Sequence, residues 1–100
     1  MFIVVWKYTV SREKRDAFQN AYGKNGIWSK LFSTSDKYQG ALLHQSMEEA
    51  NTYFIIDQWV SQADYDHFML NHNDTYQKIS KLLEHLYDKE EKTGAFELVK

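Results

Sequence analysis

No cysteine and no proline occur among the 100 residues, and glycine appears only four times. The lack of cysteine excludes a disulfide framework, a thiolate metal site and a cysteine nucleophile. It fits a reducing compartment, so a cytoplasmic location is the expectation. An excess of one charge is lacking as well. Twelve Lys and Arg against fourteen Asp and Glu leave a formal net charge of −2. Such a chain has no long-range attraction for nucleic acid or for an anionic membrane. Long apolar runs are also absent. The start, "MFIVVWKYTV", stays apolar only up to Lys7. That is too short to span a bilayer, and it lacks the basic beginning of a signal peptide. No glycine-rich phosphate loop follows a strand, so a nucleotide cofactor has no support and none is expected. The histidines are His44, His67, His72 and His85. None pairs with another at the i, i+4 spacing of a helical metal site. His67 and His72, five apart, point about 140° away from each other on an ideal helix. No metal is expected.

What the chain does have is apolar and aromatic residues, 43% and 16% of the total. That composition and length predict one globular domain over residues 1–100. A domain this small buries only about two-thirds of its unfolded surface, so its core is thin. The aromatic surplus reads either as bulky core and interface or as a ring-lined cavity for a flat ligand.

Residues 2–10 read as a strand, with Phe2, Val4, Trp6, Tyr8 and Val10 on one face and Ile3, Val5, Lys7 and Thr9 on the other. Ser11 is placed to cap a helix beginning at Arg12, whose stripe is Ala17, Phe18, Ala21 and Tyr22. Gly23 and Gly26 break it, and a second helical piece carries Ile27, Trp28, Leu31 and Phe32 to about Ser33. Residues 35–40 read as a loop. Strands at 41–47 and 52–60 flank the turn "EEAN" and form an antiparallel hairpin. Tyr53, Ile55 and Trp59 face one way, Phe54 and Ile56 the other. Ser61 caps the next helix, with Asp64 three residues on. Tyr65, Phe68, Met69 and His72 share a face. Asp74 can restart the helix with Tyr76, Ile79, Leu82, Leu83 and Leu86 on one side. Residues 88–92 read as a solvated end, Gly94 as a left-handed stop and 95–99 as a last strand.

The order β-α-β-β-α-β predicts the ferredoxin-like α+β arrangement, an antiparallel sheet with its helices on one face. The first and third strands are nevertheless apolar on both sides. A second copy packed through the open sheet face is the economical cover, so a homodimer is expected.

Within that frame, "IIDQWVSQADYDHF", "YGKNGIWSKLF" upstream and "GAFELV" near the end resemble the antibiotic biosynthesis monooxygenase family of dimeric α+β barrels. The resemblance runs over essentially the whole chain. It is most specific at the acidic residue, Trp59 and Ser61 of the strand-to-helix junction, followed by Ala63 and Tyr65. It implies a barrel formed by two subunits. Its functional range spans anthrone and quinol oxygenases, haem-degrading enzymes and non-enzymatic proteins. Where many members carry a histidine nine residues after the tryptophan, this chain has Phe68. The asparagine, tryptophan and histidine of the haem-degrading branch correspond to Lys7, Phe68 and Lys78, so that set is missing; His72 remains the residue able to ligate iron.

These readings lead to a cofactor-independent monooxygenase acting on a small aromatic, quinol-type molecule that supplies much of the reactivity itself. His72 is the expected catalytic proton carrier. Trp6, Tyr8, Trp28, Phe68 and Tyr76 are the expected substrate-binding residues. A non-catalytic dimer that binds a small ligand or haem is the competing reading, in which His72 is a half-buried histidine satisfied by a carbonyl.

Overall fold

The computed structural model describes residues 1–100. Four strands and four helices follow the expected order: β1 Phe2–Thr9, α1 Arg15–Tyr22, α2 Ile27–Phe32, β2 Tyr38–Gln45, β3 Thr52–Trp59, α3 Gln62–Asn71, α4 Asn73–Leu83 and β4 Lys89–Glu97. Short 3-10 turns precede α1 and follow α4. The strands form one antiparallel sheet in the order β2-β3-β1-β4, which is the ferredoxin-like fold.

Alternation on the two central strands decides which face meets the helices. Phe2, Val4 and Tyr8 of β1 and Val10 just after it are buried, as are Tyr53, Ile55 and Trp59 of β3. Phe18 and Tyr22 of α1, Phe32 of α2, Phe68 of α3 and Leu83 of α4 close over them. The opposite face carries Ile3, Val5, Phe54 and Ile56 with no layer above them, and Leu42 and Phe96 are about half exposed there.

Local signals explain most of the boundaries. At Gly26 an added Cβ would lie 2.0 Å from the Ala21 carbonyl oxygen, so only glycine lets α2 turn back this closely onto α1. Asn51 takes the left-handed conformation (φ 58°) in the β2–β3 turn, which asparagine tolerates better than most residues. Ser61 caps α3 as its position predicts: its Oγ accepts from the Asp64 amide at 3.2 Å and donates to the Asp64 carboxylate at 2.7 Å.

Four expectations need correction. Ser11 does not cap a helix; its hydroxyl donates to Asp88 instead. Tyr38–Gly40 belong to β2 rather than to a loop. Lys89–Lys92 are not a solvated end but the first half of β4, paired with Trp6–Thr9. An edge strand is hydrogen-bonded on one side only and accepts charged side chains, so the charge run conceals it. Gly94 is consequently inside a strand rather than at a left-handed stop.

A ring-lined cavity with a buried carboxylate

The sheet and helices part slightly at the centre of the helical face. Trp6 and Tyr8 of β1, Tyr22 of α1 and Trp28, Ser29 and Phe32 of α2 line the resulting cavity. Ala41 of β2, Ile55 and Asp57 of β3, Tyr76 of α4 and Glu90 of β4 complete it. Its volume is about 30 Å³. At roughly 10–15 Å³ per water, that is room for about two water molecules. A ring entering it must push side chains aside, and Trp28 and Tyr76, whose centroids are 4.9 Å apart, stand across it.

Asp57 is the unusual wall residue. It lies on the helix-facing side of a central strand, between Val4 of β1 and Ala41 of β2. Ile55 and Trp59 precede and follow it on the same side. Burial alone pushes its carboxyl up to about 7, with no hydrogen bond or cation opposing the shift. Taking a carboxylate out of water without a partner favours its neutral form. A group poised between charged and neutral near pH 7 is suited to accept and release a proton.

Glu90 lies at another edge of the cavity. It accepts a hydrogen bond from the Tyr8 hydroxyl at 2.7 Å. Burial raises the Tyr8 phenol far above the usual tyrosine range, and it raises Tyr76 as well. Both therefore stay protonated and act as hydrogen-bond donors, not as bases.

The structure brings Trp6, Tyr8, Trp28 and Tyr76 together at this cavity. It does not bring Phe68 or His72 there. Phe68 is buried in the neighbouring cluster with Phe2, Val4, Phe32 and Trp59. His72 terminates α3, with φ −119° and ψ 20°. That break turns its ring outward, where it stacks on Phe68 at 4.1 Å and its Nδ1 donates to the Phe68 carbonyl at 3.0 Å. Around it runs a separate polar groove that includes Asp36, Lys37, Asp64 and His67. His67 is exposed there, bonded to Asn71 at 3.0 Å. No three His, Asp or Glu side chains converge to hold a metal ion. The sequence marked Asp57 only as the acidic residue of the junction and did not place it or Glu90 at the cavity. The signal for Asp57 was the inward row Tyr53, Ile55, Trp59, whose remaining member it is.

No helix is long and apolar enough to cross a membrane. No curated protein sequence matches the chain. Solved structures share its fold throughout. SnoaB, a cofactor-independent oxygenase from Streptomyces nogalater, superposes in a single-substitution form with TM-score 0.70 at 16% identity, covering 99% of this chain and 93% of its own. A Deinococcus radiodurans protein provisionally assigned to the antibiotic biosynthesis monooxygenases gives TM-score 0.70 at 17% identity, covering 100% and 94%. A conserved protein of Methanosarcina mazei Go1 gives 0.68 at 20% identity, covering 95% and 89%. At these identities the likeness is one of fold. The antibiotic biosynthesis monooxygenase family model, however, matches residues 1–81, and the chain belongs to that family.

Proposed function

We propose that this chain is a cofactor-independent monooxygenase for small hydroxylated aromatic molecules, with Asp57 as the base. The observation that carries the proposal is an unpartnered carboxyl, pushed up to about 7, in the wall of a cavity made of rings. Once seated, the substrate hydroxyl faces Asp57, which removes its proton. The desolvated anion is then electron-rich enough to reduce oxygen directly. For a hydroquinone the balance is one hydroquinone plus O₂ giving a hydroxyquinone plus water. The substrate supplies all the electrons, so no external reductant is needed. SnoaB, similar in fold, is itself a cofactor-independent oxygenase, which supports this reading. His72, held by the Phe68 carbonyl outside the cavity, has no part in the step.

The test is oxygen uptake with a panel of hydroquinones and anthrones, wild type against Asp57→Asn. Removing a general base costs about 10²–10⁴-fold, so the variant is expected to lose at least about a hundredfold. Equal rates would contradict the assignment.

The same proposal includes a homodimer. Ile3, Val5, Leu42, Phe54, Ile56 and Phe96 make an apolar face with nothing over it, and a second sheet is its natural cover. Sedimentation at micromolar concentration should give a dimer; a clean monomer would rule that out.

A further inference from the structure

The charged residues in the lining of the cavity are both acids. Asp57 and Glu90 both line it, and no lysine, arginine or histidine does. Neither carboxylate has a cationic partner, because the ion pairs of the chain are Lys7–Glu49, Lys14–Asp88 and Lys89–Glu91. Trp6, Trp28 and Tyr76 line the same cavity. Ring faces carry the negative lobe of the aromatic quadrupole and attract ammonium groups. The chain itself supplies an instance. Lys92 Nζ sits 6.0 Å from the centroid of Trp6, one of the cavity walls.

The carboxylates also occupy different ends. Asp57 is in register with Val4, and Glu90 with Tyr8. Four residues along β1 amount to about 13 Å, and the two strand spacings between β3 and β4 to about 10 Å. Their backbone positions are thus about 16 Å apart, with both side chains reaching inward from that separation. A ring with a short polar arm covers more of that separation than a ring alone. The two ends differ in character. Asp57 is half-buried and free of hydrogen bonds, whereas Glu90 is exposed and is oriented by the Tyr8 hydroxyl.

We propose that the cavity selects cationic hydroxyaromatic ligands. The hydroxyl meets Asp57, the ring displaces the side chains that fill the cavity and lies against Trp6, Trp28 and Tyr76, and an ammonium on a short arm meets Glu90. This rests on the cavity being the substrate site, and it adds the charge of the substrate. An anionic arm faces two carboxylates and is repelled. A neutral arm gains nothing from Glu90. Lys92 is the nearby cation that competes for Trp6, so its removal strengthens the preference.

Three phenols that differ only in the charge of the para arm test this: tyramine, 4-ethylphenol and 3-(4-hydroxyphenyl)propionate, titrated calorimetrically into the wild-type protein at pH 8. Tyramine is expected to bind about tenfold more tightly than 4-ethylphenol, with the propionate weakest. Glu90→Gln should bring the tyramine to 4-ethylphenol ratio to within about threefold, and Lys92→Met should widen it. The wild-type ladder needs no variant to fold. If 4-ethylphenol binds as tightly as tyramine, charge selection is overturned while the cavity stands as a hydroxyaromatic site. If none of the three binds at millimolar concentration, both the selection and the site are overturned.

Discussion

Asp57 and His72 stand on either side of one strand-to-helix junction, the first two residues before Trp59 and the second just past the end of α3, yet their surroundings are opposite. Asp57 faces rings and aliphatic side chains, has no partner, and has its carboxyl pushed up to about 7 by burial. His72 is half-buried at the surface, stacked on Phe68, with its Nδ1 already given to a carbonyl. By residue type alone His72 is the more obvious proton carrier. Under the proposed function placement reverses the ranking: an acid without a partner among apolar walls is free to exchange a proton, and a histidine bonded outside the cavity is not.

The comparison can be broken at either residue. The larger effect belongs to Asp57. Its folded pKa is raised from the ordinary carboxylate range near 4 to about 7. The folded state therefore binds this proton more tightly than the unfolded chain does. Below pH 4 the group is neutral in both states and costs nothing. Stability falls as pH rises from 4 to 7, and above 7 the full cost applies, on the order of 4 kcal/mol. Asp57→Asn should consequently raise the unfolding free energy at pH 8 and leave it almost unchanged at pH 4, as read by urea titration at the two pH values. A variant that gains stability while losing oxygen uptake is what a strained functional group predicts. A loss of stability at pH 8 would mean that the carboxylate has a partner in solution.

His72→Ala gives the smaller effect. The Phe68 carbonyl also accepts from the His72 backbone amide at 3.0 Å, so it keeps a donor when the ring is removed. A stability loss of about 0.5–1 kcal/mol and oxygen uptake within about twofold of wild type are expected. A hundredfold loss of uptake in this variant would restore His72 to the chemistry and displace Asp57.

The fold was legible in the sequence because its signals are local. Ser61 caps α3, Gly26 allows α2 to fold back and period-two alternation marks β1 and β3. The failures lie where tertiary partners overrule local chemistry. Ser11 bonds Asp88, which is distant in sequence, and the charged run at 89–92 becomes an edge strand only because β1 is there to pair with it. For the cavity the aromatic walls were legible, since Trp6 and Tyr8 share one strand face and Trp28 and Tyr76 lie on apolar helix stripes. Asp57 was hidden by its type. An aspartate in a strand reads as solvent-facing, and only its place in the inward row with Ile55 and Trp59 shows otherwise. His72 was expected on the inward stripe because the helix was extended through it. The break at His72 separates α3 from α4 and takes the ring off the inward stripe.

The state of Asp57 is the point on which the proposed function turns, and it can be observed directly. Carbon-13 NMR of the side-chain carboxyl, followed from pH 3 to pH 9 and assigned by its loss in Asp57→Asn, gives its titration midpoint. A midpoint near 7 is predicted by an unpartnered carboxyl in a desolvated cavity. A midpoint near 4 would mean that water or a partner reaches it, and the cavity would then have no base.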